Sequence, residues 1–328
     1  MKILVITEQR DGKWNKVSFE TLTAAQQIAA EVKGTLRAVV IGKGVASLAG
    51  ELAAKKLDGV LVVEHDLLEK YTPDGYTAAL KQVIEKSGAE LVLLPHTYQV
   101  RDFAPKLAAA MNKGVIADCT GYRNDVGKLV FIRQMFQGRT AADVTFQGAA
   151  PWFATFQAGA FRGDQLAAGS GQAPVESVAV ELKAGQIRTT PLELFREAKQ
   201  AIDLTQAPII VAIGRGIKAP ENIAQAEKLA KLLGGEVAAS RPICDEGWLP
   251  MDRQIGSSGQ TVAPKLYLAL GISGAIQHVV GMKGSRTIVA VNKDQNAPIF
   301  EVADYGIVAD IFEIMPALAE ELEKTEVR

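Results

Sequence analysis

The chain has few of the residues that build metal centres or disulfide frameworks. Its 328 residues include 2 cysteines, Cys119 and Cys244, and 3 histidines, His65, His96 and His278. Two cysteines so far apart are more typical of a reducing cytosol than of a disulfide-stabilised secreted domain. Histidines scattered in this way predict no metal cluster. We therefore expect a cytoplasmic protein without a metal site.

An excess of either charge and a long apolar run are also missing. Lysine and arginine number 36 against 37 aspartates and glutamates, so no basic surface for nucleic acid or anionic lipid is expected. No apolar stretch approaches the roughly 20 residues that span a bilayer. The N-terminal MKILVITEQR lacks the cleavage site of a signal peptide. These absences argue against nucleic-acid binding and direct membrane insertion.

What the first half does contain is an alternation of β-rich runs and helical periods. Strands are predicted at Lys2–Thr7 and Leu36–Ile41. Between them a helix is predicted at Ser18–Lys33, with Ser18 as its N-cap and Gly34 as its C-cap glycine. Such alternation predicts a parallel sheet with helices on both faces. The later elements are helices at Val45–Leu57, Gly75–Ser87 and Phe103–Met111 and strands at Gly59–Glu64 and Leu91–Pro95.

From about Val115 the rhythm changes to strands joined by short loops. These strands predict an antiparallel elaboration that closes the first domain, and Arg162–Pro174 is rich in Gly, Ala and Gln, as exposed loops are. The charged, proline-containing stretch Thr190–Ala207 marks a domain boundary. The four strands of this region are predicted at Leu129–Met135, Ala142–Phe146, Trp152–Phe156 and Val175–Leu182.

A chain of this length exceeds what one core usually holds, so two domains are expected, 1–195 and 196–328. The second domain restarts the α/β alternation. The expected fold class is thus α/β, with a mainly parallel sheet flanked by helices in each domain. Its strands are predicted at Pro208–Ile213, Glu236–Ser240, within Val262–Leu270 and at Thr287–Asn292, with helices at Glu221–Leu233 and Gly274–Val280.

Five polar or glycine-rich loops of the second domain are predicted to lie at strand ends, where open α/β sheets bind nucleotides. Each alone has an ordinary alternative, such as a turn with a surface arginine, a solvated loop or a structural histidine. Five together favour one nucleotide-cofactor site. They are Gly214–Gly216, Ser240–Pro242, Gln254–Thr261, Gly271–His278 and Asn292–Asp294, with Asp310 continuing the series.

Several signatures of other nucleotide-binding proteins and enzymes are missing from these loops. There is no Gly-Lys-Ser/Thr of a phosphate-binding P-loop and no GxGxxG of the ordinary dinucleotide fold. A nucleophile, base and orienting group do not occur together. The domain is therefore expected to carry a cofactor rather than to hydrolyse a substrate, and no catalytic residue is assigned.

The densest run of the second domain resembles the α subunit of electron transfer flavoprotein. The resemblance rests on Leu266–Gly281, followed by Ile288–Asn292, Ala297–Phe300 and Ala303–Val308. It is looser in the first domain, where Arg101–Pro105 and Ala117-Asp118 fit the same family. A nucleotide-binding-like first domain and an FAD-binding second domain are the fold that this resemblance implies.

The resemblance also implies one FAD and its binding residues. Ser258 stands where a hydroxyl is expected to reach flavin N5, and Ser257 stands where relatives commonly carry Gln. Arg241 and His278 are expected to supply positive charge that raises the flavin potential. The candidate cofactor-binding residues are Arg215, Ser240, Arg241, Gln254, Ile255, Gly256, Ser257, Ser258, Ser273, Gly274, Ala275, Ile276, Gln277, His278, Asn292 and Asp310.

The function implied is that of an electron carrier rather than a substrate-converting enzyme. The α chain would pair with an electron transfer flavoprotein β subunit through its first domain. It would take electrons from dehydrogenases, such as those acting on acyl-CoA, and pass them to a quinone reductase or a similar acceptor. Two alternatives stay open: an electron-bifurcating complex that uses NADH to reduce ferredoxin and a second acceptor, and a non-redox nucleotide sensor.

Overall fold

The computed structural model describes residues 1–136, 138–192 and 203–326. The chain forms two compact units, the first Met1–Gln134 with Ala141–Leu194 and the second Met135–Thr140 with Phe195–Arg328. The boundary predicted at 190–207 lies largely in 193–202, outside the described residues.

In the first unit, strands and helices alternate up to residue 110. The strands are β1 (Lys2–Ile6), β2 (Gln9–Arg10), β3 (Lys13–Trp14), β4 (Thr35–Gly42), β5 (Gly59–Glu64), β6 (Leu91–Pro95), β7 (Val115–Asp125), β8 (Lys128–Met135), β9 (Thr140–Val144), β10 (Trp152–Phe156) and β11 (Val175–Ser177). The helices are α1 (Lys16–Val32), α2 (Ala46–Ala53), α3 (Pro73–Ser87) and α4 (Tyr98–Ala110).

The first sheet has the order β11-β5-β4-β1-β6-β10-β7-β8-β9. Its central strands pair in parallel. Leu91–Pro95 is buried at every residue, as parallel strands covered on both faces are. Since β4 and β5 extend the sheet to one side of β1 and β6 extends it to the other, the connections diverge between β1 and β6. The predicted α/β class is confirmed.

The expected antiparallel elaboration after residue 115 is wrong in most of its extent. Strand β10 lies inside the sheet, parallel to both β6 and β7, and β11 pairs in parallel with β5 at the opposite edge. Antiparallel pairing is observed between β7 and β8. The β-rich runs were visible in the sequence, but their partners are distant along the chain, so local patterning could not assign them.

Side-chain caps explain why some helix starts differ from the predictions, as at α1 and α4. Helix α1 begins at Lys16, and Asn15 rather than Ser18 caps it by accepting from the Val17 N–H at 3.1 Å. The left-handed residue that ends α1 is Lys33, one before Gly34. Helix α4 begins five residues before the predicted Phe103, because the Thr97 hydroxyl accepts from the Val100 N–H.

The second unit holds a five-stranded parallel sheet ordered β13-β12-β14-β15-β16. This 2-1-3-4-5 order belongs to the doubly wound folds, whose ligands bind where the connections diverge, here between β12 and β14. The strands are β12 (Ile209–Ile213), β13 (Glu236–Ala239), β14 (Leu266–Leu270), β15 (Ile288–Asn292) and β16 (Tyr305–Val308), and the helices are α5 (Ile223–Leu233), α6 (Arg241–Asp245), α7 (Ile276–Val279) and α8 (Ile311–Glu326).

Apolar side chains pack against both faces of this second sheet. On one face α5 and α8 contribute residues such as Leu229 and Met315, both almost fully buried. The other face carries Tyr267 and Met282. Helix α7 is a single turn, shorter than the predicted Gly274–Val280, while β16 and α8 had no predicted counterpart. No helix in the described ranges is long and apolar enough to cross a membrane.

Candidate cofactor site

A cavity of about 800 Å³ opens at the carboxyl edge of the second sheet. This volume is in the upper part of the range for small-molecule sites. The cavity is bounded by the loops that follow β12, β13, β14, β15 and β16 and by the segment 254–258. Its walls include both glycine loops with accessible backbone and charged side chains.

Glycine is required where the loops after β12 and β14 meet. A Cβ on Gly214 would lie 2.3 Å from the Gly271 carbonyl oxygen, and one on Gly216 would lie 2.7 Å from the Gly271 Cα. The two loops are joined by hydrogen bonds from the Gly214 N–H to the Leu270 carbonyl and from the Gly216 N–H to the Gly271 carbonyl. Bare backbone therefore forms the floor of the cavity at the point where the strand connections diverge.

A second close approach holds the segment 254–258 against α7. Gly256 has a φ of +141°, and a Cβ there would lie 2.8 Å from the Gln277 carbonyl oxygen. The Ser257 N–H donates to that same carbonyl at 2.8 Å. A Cβ on Gly281 would in turn meet the Gly256 nitrogen at 2.5 Å. These contacts place Ser257 and Ser258 beside the loop that follows β14.

The structure brings together all of the predicted site residues except Gly274 and Ile276. Gly274 lies behind the wall, where a Cβ would be 2.1 Å from the Ile299 nitrogen, so it shapes the loop rather than lining the cavity. Ile276 is exposed and is not part of the lining either. The predicted residues that do line it are Arg215, Ser240, Arg241, Gln254, Ile255, Gly256, Ser257, Ser258, Ser273, Ala275, Gln277, His278, Asn292 and Asp310.

The prediction that all five loops lie at strand ends is wrong for the segment 254–258. This segment follows a short 3₁₀ turn, Met251–Arg253, rather than a strand. It reaches the sheet edge because the Ile255 N–H donates to the Ala239 carbonyl at the end of β13. Tertiary hydrogen bonding, which the local pattern does not show, therefore brings it into the site.

Sequence reasoning missed two cations and one carboxylate of the lining. Lys218, Lys293 and Asp294 all face the cavity. The signal for the last two was visible, since they directly follow Asn292 in a loop already singled out. Other lining residues belong to the predicted loops without having been named as contacts, namely Gly214, Gly216, Pro242, Gly271 and Ile272. The lining residues outside those loops are Ala297, Pro298, Ala309 and Ile311.

The charged side chains make the cavity wall positive overall. Lys218 pairs with Asp310 at 3.5 Å, and Arg241 pairs with Asp245 at 3.2 Å. Arg215 and Lys293 form no ion pair with any described residue. The Phe312 N–H and then the Lys218 ammonium hold the pKa of Asp310 below its usual range, so Asp310 is ionised. The remaining positive charge suits an anionic ligand.

Two loop residues are tied down by their own side chains. Asn292 donates to the Ile272 carbonyl at 2.9 Å and accepts from the Asp294 N–H at 3.0 Å. It therefore links the loops after β14 and β15. Asp310 caps α8 by accepting from the Phe312 N–H at 3.0 Å. Both residues hold the site's geometry whether or not they also touch a ligand.

Gln254 is a buried amide in the wall with one group unsatisfied. Its side chain is 1% exposed, and its Nε2 donates to the Ser258 hydroxyl oxygen at 2.9 Å. Its Oε1 is buried and accepts no hydrogen bond from any described group. Since the Ser258 oxygen already accepts, its O–H is available to donate elsewhere. A buried acceptor without a partner costs about 1–3 kcal/mol.

His278 is a buried histidine of the wall. The residue is 6% exposed, and its Nε2 lies 2.9 Å from the Tyr267 hydroxyl. Burial lowers the pKa of His278 to about 4, and a backbone hydrogen bond with Ile255 has a smaller, opposing effect. Near neutral pH the ring is thus uncharged, so the expected positive charge at this position is not found.

Matches to known proteins agree with this arrangement. Residues 3–183 match the family model described as electron transfer flavoprotein domain, and residues 203–283 match the electron transfer flavoprotein FAD-binding domain. The second match contains β12, β13, β14 and the segment 254–258, and ends just after α7. Most of the cavity wall therefore lies within the FAD-binding match.

Curated relatives cover nearly the whole chain. Electron transfer flavoprotein subunit alpha of Thermoanaerobacterium thermosaccharolyticum is 40% identical, over 98% of each chain. That of Bacillus subtilis is 39% identical, over 99% of this chain and 98% of its own. The acryloyl-CoA reductase electron transfer subunit beta of Anaerotignum propionicum is 36% identical, over 98% and 95%. The chain therefore belongs to the electron transfer flavoprotein family, as an α subunit that binds FAD.

Proposed function

We propose that the cavity at the carboxyl edge of the second sheet holds the FAD and that the chain serves as an electron carrier. The observation that carries this proposal is the lining of the cavity at the point where the strand connections diverge: bare glycine backbone forms its floor, and Arg215 and Lys293 form no ion pair with any described residue.

The rest of the wall fits the remainder of FAD. The unpaired Arg215 and Lys293 offer positive charge to a pyrophosphate. The glycine floor at Gly214 and Gly271 allows a ligand to approach the backbone closely. Polar side chains at the ends of β15 and β16, such as Asp294, suit a ribose or an adenine. The predicted residues that line the cavity are proposed as the contacts on these grounds.

Bound flavin supplies the electron chemistry, and the protein sets its potential. The residues of the chain would bind the flavin, orient it and exclude water from it. In the proposal, Ser258 donates its free hydroxyl proton and Gln254 holds Ser258 in place. Arg241, whose side chain is 66% exposed and paired with Asp245, contributes charge from the rim. The exposed position of Arg241 weakens its effect through solvent screening.

For the whole protein we propose a heterodimer with an electron transfer flavoprotein β subunit. The names of its relatives support this, since "subunit alpha" implies a partner chain. We assign residues 1–195 to subunit association and 196–328 to FAD. The donors would be dehydrogenases such as those acting on acyl-CoA, and the acceptor a quinone reductase or a similar oxidoreductase in the cytoplasm.

A second candidate is an electron-bifurcating complex that uses NADH. It is favoured by the name of one relative, the acryloyl-CoA reductase electron transfer subunit beta, which assigns that protein to a reductase complex. In such a complex a second FAD would bind the partner subunit.

The decisive experiment is to co-express the chain with its β subunit and count FAD per heterodimer. One FAD and flavin absorption bands would support the simple carrier. Two FAD together with reduction by NADH would support the bifurcating complex. A purified heterodimer without flavin absorption would refute the proposed site and favour a nucleotide sensor. The variant Arg215→Ala should retain less FAD than the control Arg286→Ala, because Arg286 lies outside the cavity lining.

A further inference from the structure

An ion pair in the cavity wall joins two loops that follow distant strands of the second sheet. Lys218 follows β12 and Asp310 follows β16, and Lys218 Nζ lies 3.5 Å from Asp310 Oδ2. The strand order places β14 and β15 between these two strands. Since neighbouring strands are about 4.8 Å apart, β12 and β16 are roughly 14 Å apart. Both residues line the cavity, so the pair connects two sides of its wall.

The first turn of α8 holds the Lys218 ammonium from a second direction. Lys218 Nζ lies 4.6 Å from the centroid of the Phe312 ring, within the range of a cation–π interaction. The N–H of the same Phe312 donates to Asp310 Oδ1 at 3.0 Å. The ammonium thus contacts both the residue that caps α8 and a ring of its first turn.

The backbone of Lys218 is in a region that lysine seldom occupies. Its φ is +66° and its ψ is −37°, a conformation that glycine adopts with less strain. The Lys218 N–H donates to the Arg215 carbonyl at 3.1 Å and closes the turn after β12. Strained residues of this kind persist where the surrounding contacts over-determine them, and they cluster at ligand sites. The strain therefore points to a role for the lysine side chain.

Both carboxylate oxygens of Asp310 are anchored, one by the Phe312 N–H and the other by Lys218. A carboxylate has about four acceptor sites, so each oxygen can still accept from a ligand. The Asp310 side chain is 37% exposed, which leaves these sites within reach of the cavity. An oriented acidic residue at such a sheet edge suits the hydroxyls of a ribose.

We propose that Lys218 is a positioning residue that orients the Asp310 carboxylate towards the ribose hydroxyls in the adenosine half of FAD. This inference rests on the proposed function, since the ribose belongs to the FAD assigned to this cavity. In the free protein the pair is partly exposed and adds little to stability. A bound ligand shields the pair from water, so a misplaced carboxylate weakens FAD binding.

The first test compares two lysines that each reach α8. Lys218→Met removes the charge and keeps the apolar stem. We expect the FAD dissociation constant to rise about tenfold, while the urea midpoint of the flavin-free protein stays the same. The control is Lys228→Met. Lys228 pairs with Glu323 at 2.8 Å and joins α5 to α8 outside the cavity lining, so its loss should change the affinity by less than about twofold.

The measurement is a fluorescence titration with FAD. It uses the full-length chain co-purified with its β subunit, after removal of bound flavin. An unchanged dissociation constant in Lys218→Met, or a change no larger than in Lys228→Met, would overturn the inference. A lowered urea midpoint in Lys218→Met would also overturn it, because the lysine would then serve the fold and not the carboxylate.

The second test asks whether Lys218 acts through Asp310. Asp310→Asn keeps an oxygen that can cap α8. In this background Lys218→Met should change the FAD affinity by less than about twofold, because the carboxylate that it orients is gone. A tenfold loss in both backgrounds would show that Lys218 contacts the ligand directly and would refute the positioning role.

The third test is the pH profile of FAD affinity. The Phe312 N–H and then Lys218 lower the pKa of Asp310, and Lys293 acts in the same sense. Removal of Lys218 therefore raises this pKa, and the loss of affinity at acid pH should begin at higher pH in Lys218→Met than in the wild type. Superimposable profiles would contradict an effect on the carboxylate.

The outcomes separate this inference from the proposed function. A wild-type heterodimer that binds no FAD would refute the proposed function. A wild type that binds FAD, with Lys218→Met equal to Lys228→Met, would refute the role of Lys218 alone.

Discussion

In both units the strand connections diverge at the carboxyl edge of a parallel sheet, but different groups occupy the point of divergence. In the first unit, Thr97 after β6 donates to the carboxylate of Glu8 after β1, so a side-chain hydrogen bond spans the divergence of the strands. In the second unit, Gly214 and Gly271 meet there through bare backbone, and a cavity of about 800 Å³ opens beside them.

Buried polar atoms without a partner do not distinguish the two units. Gln254 has one in the second unit, and Arg133 and Gln134 each have one in the first. In the first unit His96 bonds to the Thr155 hydroxyl, which also accepts from the Asp118 N–H. The comparison teaches that the fold alone does not make a site, which also needs glycine loops that leave room for a ligand.

The largest expected effect comes from adding a methyl group at Gly274, where two loops of the second unit pack closely. Gly274→Ala combines a φ of +88° with a Cβ 2.1 Å from the Ile299 nitrogen. We expect a loss of at least about 3 kcal/mol in the free energy of unfolding, together with loss of bound FAD. Urea unfolding and flavin absorption of the purified protein measure both.

The matched control for this substitution lies in the first unit. Gly12 has a φ of +74° and nothing within 4 Å of an added Cβ. Gly12→Ala should therefore cost about 1–2 kcal/mol from the left-handed backbone alone. Equal losses for the two variants would show that the contact between the loops after β14 and β15 is unimportant.

The next effect concerns Glu20, a carboxyl of the first unit that is 6% exposed. Burial raises its pKa from 4.5 to about 7, against smaller lowering effects of the Gly159 N–H and Lys16. The stability contributed by the protonated form is complete below pH 4.5 and is lost as pH rises to about 7. Glu20→Gln should thus raise the free energy of unfolding by up to about 3 kcal/mol at pH 8.

The same variant supplies its own control at low pH. Below pH 4.5 both side chains are neutral, so Glu20→Gln and the wild type should unfold at similar urea concentrations. The Gln oxygen can still accept from the Gly159 N–H, which lies 2.7 Å from Glu20 Oε2. A gain in stability that is equal at pH 4 and pH 8 would contradict the raised pKa.

His278 in the second unit should show the opposite dependence, of about the same size. Its pKa falls from 6.5 to about 4, so the stability of its neutral form is complete above pH 6.5 and is lost as pH falls towards 4. The wild type should lose up to about 3 kcal/mol over this window relative to His278→Gln. Urea unfolding of FAD-free protein at both pH values measures the difference, and parallel pH profiles would argue against a buried neutral histidine.

The smallest expected effect separates two adjacent hydroxyls. Ser258→Ala removes the acceptor of the Gln254 amide, which lies 2.9 Å away. We expect FAD to bind about tenfold more weakly, or about 1.4 kcal/mol. Ser257 is exposed, and its backbone N–H rather than its side chain is used in the loop. Ser257→Ala should therefore change the affinity less than twofold, and fluorescence titration with FAD compares the pair.

Much of the fold could be predicted because its signals are local. Strands β5 and β6 begin and end at the predicted residues, since continuous apolar runs flanked by polar residues leave few alternatives. The site loops were found in the same way, as glycine and polar clusters after apolar runs. The position of β10 between β6 and β7 was missed, because parallel pairing across 50 or so residues of chain has no local signature.

The sequence by itself determined the alternation of strands and helices, the glycine positions and the family. These depend on residue type and spacing along a short stretch of chain. Only the tertiary structure decided that Lys218 and Lys293 face the cavity, that Gly274 lies behind its wall, and that Tyr267 contacts His278. Such facts depend on which distant segments pack together, and a hydrogen bond between a strand and a one-turn helix exists only once the sheet has formed.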